Sequence, residues 1–516
     1  MSRLLRSEHA DLAIQVRLED TDPLRGRLGL APAGRLSDSD ITRWRDLFDE
    51  AWRLLVTRHR AAAEILAAVL TVLVPVQPDP AARGISATSA EAFGAVALSE
   101  PADATALAVA LVHETQHSLL NALQHLFDLH ERPGELGYSP WRDDPRPAAG
   151  ILHGAYAYQA VTRFWRAELA ADATARGGPG AGLAGFEFAR WRGAVAGAAQ
   201  RLLANGGLTA AGERFTGALL AETVPWLSEP IPDPGPSNPG KSPSQLRADD
   251  SVADTDNGGA DTDDGLAARG GGVTSSCDAR ASTDDNPTQK DHSATTSRDH
   301  PTDDSSTEKD DRVTGAGDGL AGRGARVTGS GDCFAARGGG LAGRGESGSG
   351  DADGSAGVVG GGVTGDVVRL AEGANQDHYL RWRLRNLVVD AADVFALADA
   401  WRAGRAAQGG AVRARLVAAP ERALESSARL DLAHSWVGGE QPGGRSSAAD
   451  IAYLRGDGGT AAVAYESMIL NGSCDVAVWA GIALVRGWER VEVVAAVRRE
   501  LGPAVDVSAL ARWMSA

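Results

Sequence analysis

From residue 230 to residue 365 the sequence turns to Gly, Ser, Thr, Asp and Pro, with almost no large apolar side chain among them. Ordering one residue's backbone costs about 1–2 kcal/mol. Without apolar surface to bury, nothing offsets that cost. Fragments recur inside the block, among them "GLAARGGGVT", "GLAGRGARVTG", "FAARGGGLAGRG" and "GGGVTG". Stacked repeats need a continuous apolar face, and these carry too little apolar surface to make one. The block therefore predicts a disordered tether, not a solenoid. Foldable sequence is confined to residues 1–229 and 366–516, read as an N-terminal domain and a C-terminal helical region.

A chain of 516 residues has room for two or three domains. The net charge of −17 argues against a nucleic-acid-binding protein, whose usual footprint is a basic patch or stripe. Cys277, Cys333 and Cys474 lie far apart and form no CxxC or even framework, which fits a reducing cytoplasm. The N-terminal "MSRLLRSEHADLAIQVRLED" is charged throughout and has no apolar core of signal-peptide length. The most apolar stretch, "AAAEILAAVLTVLVPVQPDP", falls short of the roughly 20 residues that span a bilayer and is broken by Pro75. The expectation is a cytoplasmic protein with no membrane and no nucleic-acid partner.

The predicted fold class is mainly α with a small β-sheet. Ile41, Trp44, Leu47, Phe48, Trp52 and Leu55 recur at helical spacing after the start signals "SDSD". "VLTVLVPVQ" reads as a short buried strand, and "ISATSAEAFGAVALS" as one or two more. A helix beginning near Ser99–Asp103 runs through "VHETQHSLLNALQHL", and another follows in "ILHGAYAYQAVTRFWRAELAADATA". Beyond residue 366, "DHYLRWRLRNLVVDAADVFALADAWRAGRAA" predicts two helices, the second capped near Asp390. Ala462, Tyr465 and Ile469, then Trp479, Gly481 and Leu484, predict a helical hairpin resembling part of a tetratricopeptide unit.

His113 and His117 sit four residues apart, so a helix presents both imidazoles on one face to one ion. Glu114 follows the first, where its carboxylate can reach a water on that metal. The alternative is a satisfied His pair on an amphipathic helix. The apolar flank "ALAVALVHETQH" favours ligation, because an unpaired imidazole there would be costly. A catalytic site keeps three protein ligands and an open position. The HExxHxxGxxH pattern does not supply the third, since Leu120 stands in the Gly place and Leu123 in the His place. His125 and His130 fall off the ligand face, and Glu131 and Glu135 are weak candidates in a loop. His153 opens the next helix between apolar Leu152 and small Gly154, which would let it approach the metal closely, and is the best candidate; otherwise it is a core histidine bonded to backbone. Between the helices, "YSPWRDDPRP" holds Arg142 and Arg146 in a Pro-stiffened loop beside Trp141. Arginine suits bidentate carboxylate recognition, although an Arg142–Asp144 or Arg146–Asp143 pair bracing the loop explains the same residues.

With "ISATSAEAFGAVALS", "LVHETQHSLLNAL", "PWRDDPRPAAGILHGAYAY" and "ADIAYLRGD" together, about residues 10–229 and 377–490 resemble a known family. These are the actinobacterial HExxH-type peptide-modification proteins that accompany or are fused to radical-SAM maturases in gene clusters for ribosomally made peptides. A strand followed by a helix buried on one side is the arrangement of a zincin-like HExxH domain, and the resemblance implies iron(II)- and 2-oxoglutarate-dependent hydroxylation of a β-carbon in a precursor peptide. It makes His113 and His117 iron ligands with His153 the third, and has Arg142 or Arg146 hold the distal carboxylate of 2-oxoglutarate. Glu114 then orients a water or ligand, and Trp141 contacts substrate. A three-imidazole set departs from the two-His, one-carboxylate triad common in iron(II) oxygenases. The chain also lacks the cysteine cluster of a radical-SAM half, which implies a stand-alone partner of such a maturase. The alternatives are a zinc peptidase with Glu114 as general base, and a non-catalytic protein whose C-terminal hairpin recruits a maturase.

Overall fold

An element not anticipated from the sequence opens the chain. Strands β1 (Leu4–His9) and β2 (Leu12–Leu18) form an antiparallel hairpin with Leu4 opposite Arg17 and His9 opposite Leu12. Ala10 takes the left-handed conformation, φ 51°, in the tight turn between them. Leu5, Ile14, Val16 and Leu18 point inward at the two-residue period of a half-buried strand. The computed structural model describes residues 3–79, 84–131, 136–174, 181–231, 363–407, 412–417, 427–439 and 447–515. The predicted tether falls almost wholly outside the described residues, as do Glu135, Cys277 and Cys333.

The hairpin extends a five-stranded mixed sheet in the order β1-β2-β3-β5-β4, where β3 is Val72–Val76, β4 Ser86–Ala87 and β5 Ala95–Ser99. Strands β2, β3 and β5 run parallel, and the short edge strand β4 runs antiparallel to β5. Helices α1 (Asp38–Arg58), α2 (Arg60–Val69) and α3 (Ala104–Gln124) close one apolar core with this sheet. Ser37 and Asp40 form a reciprocal capping box at the start of α1. Trp44, Phe48, Trp52 and Leu55 carry its buried stripe. His59 separates α1 from α2, its ring 2.7 Å from Glu168 and stacked on Phe164.

Helix α3 starts at Asp103, whose carboxylate accepts from the Ala106 N–H. Leu107, Leu111 and Val112 press into the sheet core, which leaves His113 and His117 at the border with the next layer. That layer is α4 (Ala148–Thr174), α5 (Ala181–Asn205) and α6 (Ala210–Thr223). Across the undescribed block, α7 (Val363–Asn386) packs along α5, and Asn375 donates to the Arg190 carbonyl at 2.8 Å. Phe186 and Phe188 share one apolar cluster with Val367, Leu370 and Leu430.

The remaining elements are β6 (Leu387–Val389), α8 (Ala391–Arg402), β7 (Ala414–Leu416), α9 (Ala428–Val437), α10 (Ala448–Leu454), α11 (Gly458–Leu470), α12 (Val476–Arg486), α13 (Val491–Leu501) and α14 (Val507–Ser515). Asp390 caps α8 as expected, accepting from the Ala392 N–H. The α11–α12 hairpin forms where Tyr465 and Trp479 predict it, and a side chain at Gly481 would meet the Tyr465 ring at 2.5 Å. A buried ionic network ties these helices to α7. Arg429 bonds Asp377 at 2.9 Å, Asp450 at 3.0 Å and Tyr465 at 3.2 Å. The described residues are mainly helical with one small mixed sheet and a two-stranded β6–β7 pair. No helix among them is long and apolar enough to cross a membrane.

Glu187 of α5 meets His434 of α9 at 2.5 Å. Burial pushes the Glu187 carboxyl up, but His434, Arg190 and Trp191 outweigh it and hold it at about 2. A carboxyl depressed in the folded chain contributes stability that is present above its unfolded value and lost as pH falls through the folded one. Urea midpoints are expected to drop between about pH 5 and about pH 2.5, and Glu187→Gln to flatten that drop. An unchanged slope in the variant would assign the loss to other carboxyls.

Candidate metal centre

The HExxH helix brings two of the expected ligands together. His113 and His117 of α3 face each other edge to face, their Nε2 atoms 3.1 Å apart. Burial pushes the His113 imidazole down to about 4, and burial, with His113 and His153 nearby, holds His117 well below the ordinary histidine value. Both rings are therefore neutral at pH 7, the form that offers a lone pair to a metal. Two nitrogens bound to one ion at about 2.1 Å stand roughly 3.0–3.4 Å apart for angles of roughly 90–110°. The observed pair falls in that range, so the residues present fit a cation.

Glu114 occupies the next position on α3 and is buried. Its Oε1 accepts from the Ser86 hydroxyl of edge strand β4 at 2.6 Å and lies 4.0 Å from His113 Nε2. Its Oε2 has no hydrogen-bond partner among the described residues. Burial pushes the carboxyl up to about 7, against the pull of the Ser86 and Thr88 hydroxyls. The orphan oxygen is a buried polar atom awaiting a partner, and a metal-bound water is one group that would satisfy it.

His153 lies beside this pair but is engaged elsewhere. Its ring is 5.7 Å from that of His117 with the planes 23° apart, and its Nε2 is 2.7 Å from Gln124 Oε1. Among the described residues no group of three His, Cys, Asp or Glu converges on one point. Gly154 does not make room for His153, as the sequence suggests; it makes room for an indole. A Cβ there would fall 1.8 Å from Trp141 Nε1. Trp141 is 6 % exposed and stacks on Tyr158 at 5.3 Å, and Tyr158 presents its edge to His113 at 4.8 Å. Trp141 is thus a wall of the site, fixed between two helical turns. Gly154→Ala is expected to displace it and cost about 1–3 kcal/mol, as overpacking does. Chemical denaturation together with tryptophan emission would check this; an unshifted midpoint would mean the indole has another resting place.

The arginine loop is a hairpin closed by paired Gly137 and Arg146 backbones. Arg142 donates to Asp144 at 2.9 Å and Arg146 to the other oxygen of the same carboxylate at 3.2 Å. The Arg142–Asp144 brace weighed from the sequence is present, so one carboxylate already shares the two guanidinium charges. Asp143 turns the other way, toward α7. It lies 3.0 Å from Arg385 and 3.2 Å from His378, and its carbonyl accepts from Asn386 at 2.9 Å. Burial pushes its carboxyl up, yet His378 and the nearby arginines hold it below the ordinary value. The other nitrogen of His378 is 2.8 Å from the Tyr138 hydroxyl.

Several of these partners escape a reading of the sequence. Gln124 is one of them, although it continues the His113–His117 stripe of α3 and that spacing could have found it. Tyr158 and Ser86 carry no motif, and His378, Arg385 and Asn386 arrive from the far side of the undescribed block. Of the other candidates, His125 caps α3 and His130 bonds the neighbouring Glu131 carbonyl.

No protein family and no curated protein matches this chain.

Proposed function

We propose that this chain is an iron(II)- and 2-oxoglutarate-dependent hydroxylase acting on a β-carbon of a ribosomally made precursor peptide. The carrying observation is the neutral His113–His117 pair, its nitrogens 3.1 Å apart, beside a fixed loop bearing two arginines. His113 and His117 hold the metal, and His153 is the third ligand. Bound iron, with 2-oxoglutarate and oxygen, supplies the oxidising chemistry. The chain's own part is to bind, orient and exclude water. Arg142 or Arg146 takes the distal carboxylate of 2-oxoglutarate by sharing its charge with Asp144. Trp141 and Tyr158 wall the centre, and Glu114 accepts a hydrogen bond from a bound water through its unpartnered oxygen.

A cleft of about 300 Å³ lies along the stripe of α3 that continues from Glu114, lined by Ser89, Phe93, Ser118, Asn121, Ala122 and His125. It suits one or two side chains of a peptide. The sheet with its HExxH helix is read as zincin-like and the α11–α12 hairpin as tetratricopeptide-like, with a radical-SAM maturase as partner in the cytoplasm.

A zinc peptidase is the second reading, favoured by the buried Glu114 carboxylate 4.0 Å from His113 Nε2. One experiment separates the two. Protein loaded with iron(II) and 2-oxoglutarate without oxygen, then given oxygen and a candidate peptide, should yield succinate and a peptide heavier by one oxygen atom. A cleaved peptide with zinc, lost in Glu114→Gln, would replace the proposal with the peptidase.

A further inference from the structure

We infer that Gln124 is the positioning residue that fixes how His153 meets a metal: its side-chain carbonyl holds the Nε2–H of His153, so that Nδ1 is the ligating nitrogen. This rests on reading the site as a metal centre. His113, His117 and Gln124 fall on one stripe of α3, so Gln124 ends the line that the two facing imidazoles begin. Its Oε1 can only accept a hydrogen bond. With Oε1 of the amide facing it at 2.7 Å, that ring nitrogen is the donor, which gives His153 the Nε2–H tautomer in this arrangement of Gln124.

The lone pair is then on Nδ1. The two nitrogens of an imidazole diverge, so a ring with Nε2 toward Gln124 turns Nδ1 away from it. The His117 ring lies alongside at 5.7 Å, inclined by 23°. Metal-ligating histidines commonly donate their second N–H to a carbonyl or carboxylate, and loss of that partner costs about 10–100-fold in metal affinity. Among the described residues, Gln124 is placed to serve that purpose. A hydrogen bond that served only the fold would leave metal affinity unmoved when position 124 can no longer accept it.

The test uses the metal-free full chain titrated with cobalt(II) chloride and followed by visible absorption. Nitrogen-15 NMR of the histidine side chains reads the His153 tautomer directly in the unsubstituted protein. The inference expects the Nε2–H form, an affinity lowered about 10–100-fold by Gln124→Met, and wild-type or tighter binding in Gln124→Glu, whose carboxylate still accepts the bond. An Nδ1–H tautomer overturns it, as does cobalt affinity unchanged in a folded Gln124→Met protein; either result leaves the metal centre standing. If the wild-type chain binds no cobalt, the metal reading itself fails and carries this inference with it.

Discussion

Replacing His117 by alanine is expected to abolish stoichiometric metal binding, with a loss well beyond the about 10–100-fold that outer partners contribute. His117 is the middle ring of the group, 3.1 Å from His113 by nitrogen and 5.7 Å from His153 by centroid. Removing it takes away the ring that neighbours both of the others. The fold should survive, because the side of α3 that packs on the sheet, through Leu107, Leu111 and Val112, is untouched. Metal content after loading and desalting, read beside circular dichroism, checks both halves. A folded variant that still retains one equivalent of metal would place the binding site elsewhere.

The second large effect belongs to Asp143. Its carboxylate holds Arg385 and His378, and its backbone carbonyl holds Asn386. Asp143→Ala strips the carboxylate and takes one partner each from a largely buried guanidinium and a buried imidazole. Breaking a buried pair by removing one partner costs about 3–5 kcal/mol; since Arg385 keeps 22 % of its side chain in solvent, the lower end is expected. The loop that carries Trp141, Arg142 and Arg146 should loosen with it, so tryptophan emission should change along with the urea midpoint. A loss under about 1 kcal/mol, the value of a surface pair, would mean that packing and the remaining Asn386 and Tyr138 bonds hold the loop without the carboxylate.

What could be read in advance follows the range of the interactions. The α1 stripe, β3, the Asp103 cap of α3 and the Asp390 cap of α8 depend on neighbours within a few residues, and each lies where local spacing puts it. The β1–β2 hairpin was equally local: Leu12, Ile14, Val16 and Leu18 alternate, but the interspersed charges disguise the strand. Within the site, His113, Glu114 and His117 were legible because one helical turn places them. Gly154 was misread because its small size serves a tryptophan from another loop, a contact that sequence order does not announce. The support of that loop by His378 and Arg385 was beyond reach for the same reason, since nothing near Asp143 names a partner more than 200 positions away. Such long-range pairs depend on tertiary packing, and packing overrides local preference.

X-ray absorption at the iron edge of the loaded protein, before any co-substrate is added, most directly tests the claim that α3 and α4 together supply the metal's ligands. Imidazole scattering from three histidines per iron is expected, falling to two in His153→Ala. Two or fewer in the unsubstituted chain, or a count indifferent to position 153, would contradict it.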